Sequence, residues 1–112
     1  MLGLELNKEL AMSHKFQSLK TFYPYYLSEH QNQTCRRLHF VGSLLILLLL
    51  VFTLTTQQWV LLWLLPVFGY GFAWTGHFFF EHNKPATFTY PFYSLLSDWL
   101  MFKDILVGRI KF

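Results

Sequence analysis

The polar and apolar residues of this chain segregate into long blocks. From Leu38 to Phe80 there is no Asp, Glu, Lys or Arg, and only His39 and His77 titrate near neutral pH. One bilayer crossing takes about 20 apolar residues at about 1.5 Å each, so this stretch is too long for one helix and suits two joined by a short turn. Its polar cluster, Thr55-Thr56-Gln57-Gln58, supplies the turn between the runs Phe40 to Leu54 and Trp59 to Phe80. The pattern predicts an all-α membrane protein, a two-helix transmembrane hairpin flanked by amphipathic or interfacial helices. As a single membrane domain over 1–112 it divides into a tail at 1–15, an amphipathic helix at 16–30, membrane helices at 34–55 and 58–82, and an amphipathic or packed helix at 91–108.

The flanks carry their own pattern. Phe16, Leu19, Tyr23, Tyr26 and His30 fall near one helical face, with Pro24 as a break. The segment Tyr90 to Val107 is apolar but contains Asp98, Lys103 and Asp104, each costing about 2.5 to 3.5 kcal/mol at a bilayer centre, so it reads as interfacial or packed on the hairpin. Pro66, inside the second run, predicts a kink. Gly69, Ala73 and Gly76 form a stripe of small residues that lets a neighbouring helix approach closely, near Gly42 and Ser43, and that could serve a homodimer.

Composition narrows the class. With 54% hydrophobic, 21% aromatic and only 13% charged residues, disorder and a solvated surface are both excluded. A net charge of +3 is too small and dispersed to imply a nucleic-acid partner. Topology accounts for it better: Arg36 and Arg37 precede the first span and Lys84 follows the second, which predicts both termini in the cytoplasm. A bacterial inner membrane and the endoplasmic reticulum both accommodate this. The chain ahead of Arg36 is too long and too polar for a signal peptide, so the hairpin is expected to stay in the mature protein.

The histidines suggest chemistry. A hairpin returns the chain to its starting depth, and His39 and His77 lie roughly 26 and 32 Å along their helices from the turn, within about one turn of each other. His30 stands just before the first span, and Glu81 and His82 just after His77, so three or four histidines and two glutamates can converge at one rim. His77 and Glu81 share an α-helical face, whereas His82 points about 140° from His77. His30 and His39 converge only if the helix breaks between them. Gln31-Asn32-Gln33-Thr34 supplies that break, with Asn32 or Thr34 as the N-cap of a helix beginning near Cys35. Three histidines and a carboxylate with open positions suit Fe(II) or another first-row divalent metal. Asp98 could be a ligand, a partner for a histidine, or a solvated residue. Cys35 alone makes no disulfide framework or cysteine cage and reads as a small residue at a helix start; His14 reads as surface. The rival reading, from another class, is a non-catalytic small membrane protein whose histidines contact lipid headgroups or a partner subunit.

Two blocks carry a resemblance. The first is Phe22-Tyr23-Pro24-Tyr25-Tyr26-Leu27-Ser28-Glu29-His30 with Asn32 and Arg36-Arg37-Leu38-His39-Phe40-Val41-Gly42. The second is Gly76-His77-Phe78-Phe79-Phe80-Glu81-His82-Asn83-Lys84-Pro85-Ala86-Thr87-Phe88, followed by Tyr90-Pro91 and the segment Ser94 to Phe102. Together they resemble the small membrane 2-hydroxy fatty acid dioxygenases, long catalogued as a domain of unknown function, over roughly Phe16 to Phe112. The resemblance implies an Fe(II)-dependent enzyme that takes a 2-hydroxy fatty acid and O2 and yields a fatty acid one carbon shorter, a step of lipid α-oxidation. In eukaryotic members this serves breakdown of phytosphingosine in the endoplasmic reticulum. By position, His30, His39 and His77 match the family's histidines, and Glu81, Asn32 and Asn83 its accompanying polar residues; the resemblance leaves His82 open. Gln33-Thr34-Cys35 departs from the family's Pro-x-Asn.

A 2-hydroxy acid could chelate iron through its hydroxyl and carboxylate while its alkyl chain stays in the bilayer or beside the hairpin. Arg36, Arg37 or Lys84 is then expected to hold the carboxylate. On that expectation Arg37→Ala weakens substrate binding and leaves metal content unchanged, which elemental analysis beside a binding assay checks; loss of iron in the variant contradicts the assignment.

Overall fold

The computed structural model describes residues 16–112; the tail at 1–15, with His14, lies outside the described residues. Among these, every regular element is helical. Helix α1 spans Leu19–Ser28 and α2 spans Gln33–Thr56. The second span, Trp59–Glu81, is labelled α3, and α4 covers Pro91–Leu106 after a short turn at Ala86–Phe88.

Local chemistry sets these boundaries. The Ser18 hydroxyl accepts from the Thr21 N–H at 3.3 Å and starts α1. The helix runs through Pro24, so the expected break does not occur there. Pro24 and Lys20 are both exposed, and water can satisfy the Lys20 carbonyl that the proline leaves without a donor. The chain breaks instead after Ser28, and Asn32 restarts it, its side-chain oxygen accepting from the Cys35 N–H at 3.1 Å. At the far end Gln57 adopts the left-handed conformation, φ 57°, and turns the chain back as the polar cluster predicts.

Helices α2 and α3 are long and apolar enough to cross a membrane. Their outward faces are apolar and uncovered: Leu48 is 57% exposed, Val51 60% and Trp63 80%, more than water would tolerate as a contiguous surface. The kink expected at Pro66 takes the form of a change in helical pitch. A tight 3-10 stretch at Trp59–Leu64 gives way beyond Pro66 to a wide π stretch at Val67–Gly71, then to α-helix at Phe72–Gly76 and a second π stretch at His77–Glu81. Proline has no N–H for the preceding turn and its ring crowds that turn, so the hydrogen-bond register changes there.

Two of the predicted small positions are close approaches. A Cβ on Gly42 would lie 2.8 Å from the Phe68 carbonyl oxygen, and one on Gly76 would lie 2.9 Å from Cys35 Sγ. Gly69 differs, for a Cβ there meets only Ile46 Cδ1 at 3.5 Å, an ordinary contact. At the end away from the turn, α1 packs on α4 through Phe22, Tyr26, Met101 and Ile105. Phe22, which the expected amphipathic face omitted, is wholly buried, a contribution of about 1.5 to 3 kcal/mol. Tyr23 donates its hydroxyl to Asp104 Oδ2 at 2.7 Å and ties the same two helices.

These contacts separate two glycines by their surroundings. Gly42→Ala forces α2 and α3 apart and costs about 1 to 3 kcal/mol, whereas Gly71→Ala, with nothing within 4 Å of its Cβ, is neutral or slightly stabilising. Thermal unfolding of the two variants in detergent checks the ordering, and equal melting temperatures would contradict it.

Candidate metal centre

The break between α1 and α2 does what the separation of His30 and His39 requires. His30 lies just past the end of α1, His39 lies one turn beyond Cys35 on α2, and His77 opens the last π stretch of α3. All three are buried, and their rings meet edge to face with centroids 4.4 to 5.0 Å apart.

The hydrogen bonds fix which ring nitrogens face inward. His30 Nδ1 is 2.6 Å from the Tyr26 carbonyl oxygen, which only accepts, so that nitrogen carries the proton. Asn83 Nδ2 donates to the Glu29 backbone oxygen at 3.1 Å and to Glu29 Oε2 at 2.7 Å. Its Oδ1 therefore faces His77 Nδ1, at 2.7 Å, and accepts from it. His39 Nδ1 is 3.5 Å from Asp98 Oδ1, whose other partner is the Tyr26 hydroxyl donating to it. His30 and His77 are thus left with an unprotonated Nε2, and His39, with Asp98 favouring a proton on its Nδ1, faces His30 through Nε2. Burial, and then the neighbouring His39 and His77, hold His30 well below the usual histidine range, so it stays neutral. Burial also pushes Asp98 up to about 6 and raises the Tyr26 phenol well above its usual value, so Tyr26 remains a donor.

His30 Nε2 and His39 Nε2 stand 3.2 Å apart. Two bare lone pairs at that distance repel unless a proton or cation lies between them. Ligands each about 2.0 to 2.1 Å from one cation stand about 2.9 to 3.4 Å apart, so the separation fits a shared divalent ion. The ligand atoms of His30, Cys35, His39 and His77 all lie within 4.8 Å of one another, and the four residues are buried. This group could hold a metal ion, with each histidine oriented from its far nitrogen in the manner of metal-bound imidazoles.

The other sequence-derived candidates fall around this group. Glu81 lies outside it and accepts from the Asn32 N–H, joining the end of α3 to the start of α2. Glu81 stays near the face of His77 through the π turn, but its carboxylate is engaged by the Asn32 N–H and not by the histidine group. His82 is exposed and ends α3 with φ 57°. Arg36 Nη1 donates to the carbonyl oxygens of His30, at 3.1 Å, and Gln31, at 2.7 Å. Arg37 Nε donates to a Phe112 oxygen at 3.2 Å, and Lys84 lies 5.6 Å from the Phe88 ring centroid. Asn32 acts as the N-cap of α2, and Asn83 positions His77. Cys35, set aside in the sequence, sits among the histidines. The signal for it was its spacing of four from His39, which puts both on one face of α2. Ser94 was missed as well: its hydroxyl is buried beside His77 and Asp98 without a hydrogen-bond partner.

A chamber of about 30 Å³ opens against the three histidines, Tyr26, Ser94 and Asp98, room for one or two water-sized molecules. Because Asn83 orients His77 from the side away from the chamber, Asn83→Ala is expected to weaken divalent metal affinity by about 10- to 100-fold. Competition against a metal chelator checks this, and an affinity equal to wild type would show that Asn83 does not position His77 for a metal.

The sequence profile of the Mpo1-like family, described as 2-hydroxy-palmitic acid dioxygenase Mpo1-like, matches residues 16–110. Comparison with curated proteins and with solved structures found no significant match.

Proposed function

The chain belongs to the Mpo1-like 2-hydroxy-palmitic acid dioxygenase family, and from that premise we propose that it is an integral membrane Fe(II)-dependent dioxygenase of 2-hydroxy fatty acids. The observation that carries the reading is the convergence of three buried histidines, two hydrogen-bonded through Nδ1 and the third with Nδ1 3.5 Å from Asp98, at a chamber the size of a small gas molecule. The substrate is a 2-hydroxy acid and the product a fatty acid one carbon shorter. With O2 as the oxidant, the atoms and electrons balance when the lost carbon leaves as carbon dioxide together with water, so no external reductant is needed.

Bound Fe(II) would supply Lewis acidity toward the hydroxyl and carboxylate and the electron-transfer capacity that O2 chemistry requires. His30, His39 and His77 would hold it, with Cys35 near enough to complete the group. Glu81, expected as a ligand from the sequence, would act instead by clamping the start of α2 through Asn32. Asp98 keeps the His39 proton on Nδ1 and is itself held by Tyr26. Polar groups line the chamber on the histidine side, and Gly69, Ala73, Trp74, Pro85 and Ala86 complete its wall. In this reading the hairpin spans the bilayer with both termini in the cytoplasm, and the site lies near the rim where an amphiphile's head resides.

Elemental analysis of detergent-purified protein prepared anaerobically with ferrous iron is the first test. Near-stoichiometric iron in wild type, its loss in His77→Ala, and O2-dependent shortening of 2-hydroxypalmitate are the expected results. No bound iron in either form would remove the dioxygenase reading and leave a lipid-binding membrane protein.

A further inference from the structure

A larger cavity, of about 360 Å³, runs along the hairpin between α2 and α3 and is covered in part by α4. At one end it meets His39 and Asp98, which also bound the small chamber at the histidines. Gly69, Tyr70 and Ala73 line both spaces, so the two adjoin. Away from that junction the walls are apolar, with Leu50, Leu65 and Pro66 lining the end nearer the turn. The small residues Ser43, Gly69 and Ala73 keep the passage open where larger side chains would fill it.

We propose that this groove binds the alkyl chain of the 2-hydroxy acid and that Leu50, Leu65 and Pro66 form a floor that sets the preferred chain length. The proposal rests on the dioxygenase reading for the identity of the head group. The groove itself selects the occupant: one polar end beside the histidines and one long apolar body match an amphiphile with a single head and a single tail. From His39 to Leu50, α2 rises about 16 Å at about 1.5 Å per residue. That is the length of roughly 13 bonds of an all-trans chain advancing about 1.2 Å each, as an extended backbone does. A tail of about this length therefore reaches the floor when its head is at the histidines. Pro66 makes the floor a fixed stop, since it sits where α3 changes pitch and cannot shift register without disturbing both stretches. The groove is open along one side, which lets a tail enter laterally from the bilayer.

The test uses full-length, iron-loaded protein in phosphatidylcholine nanodiscs under anaerobic conditions, labelled with 2-hydroxypalmitate carrying a diazirine at its terminal carbon. Crosslinks at Leu50, Leu65 or Pro66, displaced by excess 2-hydroxypalmitate, are expected. Crosslinks confined to the outer face at Leu48, Val51 and Trp63 would overturn the proposal. So would equal labelling of the floor by a phosphatidylcholine bearing the same diazirine, which would mean bulk lipid only. The second arm compares turnover across 2-hydroxy acids of graded length. Leu65→Trp raises the floor and should lower kcat/KM for 2-hydroxypalmitate relative to 2-hydroxylaurate by about tenfold or more, with iron content unchanged; parallel length profiles in the two forms would overturn the gauge. A labelled floor without any turnover supports the groove and counts against the oxygenase reading. Turnover with an unlabelled floor does the reverse.

Discussion

Three imidazoles buried at one end of a membrane hairpin must have both ring nitrogens accounted for, and that requirement organises the rest of the molecule. Each Nδ1 takes its partner from a different part of the chain: the Tyr26 carbonyl in α1, Asp98 in α4, and Asn83 in the loop after α3. Four elements are therefore tied to one point, although α2 and α3 make most of the wall. The short flanking helices are not accessory to the hairpin. Removing α1 or α4 would leave a bare polar nitrogen in an apolar setting, which costs free energy wherever no water can reach it.

The small residues divide between two tasks that look the same in sequence. Gly42 and Gly76 are contact points, where any Cβ would collide with the opposite helix. Gly69 and Ala73 stand on the same helix as Gly76 but border open space. The π stretch at Val67–Gly71 accounts for the difference, because it changes which residues face α2 partway along the span. A stripe counted at α-helical spacing treats all of these positions as one packing surface. The irregular helix makes half of it a packing surface and half the wall of a cavity.

What could be read in advance follows the range of the interaction. The hairpin, the turn at Thr55 to Gln58, the break before Asn32 and the convergence of His30, His39 and His77 depend on hydropathy, length and local capping, all of which are local in the chain. The near neighbours of the histidines were less legible. Glu81 lies near the face of His77, but its carboxylate is taken by the Asn32 N–H at the start of α2, a long-range contact that spacing along α3 does not reveal. Cys35 carries no motif of its own, and only its spacing of four from His39 places it on the histidine face of α2. Phe22 and Ser94 depend on how α1 and α4 dock, and that is set by long-range packing with no counterpart in local pattern.

Asp98 shows how the same chemistry resolves an ambiguity in composition. A carboxylate in an apolar helix is costly at a bilayer centre, which argued only that α4 should stay near the interface. Its position facing His39 and Tyr26 gives that cost a compensation: the charge is shared with two donors from two helices, at the mouth of the groove where the walls turn from polar to apolar. Replacing it by an apolar residue would suit the helix but leave the His39 proton without an acceptor, and the ring would be free to present either nitrogen to the centre. The residue least at home in its own helix is therefore the one that faces His39 across the histidine group.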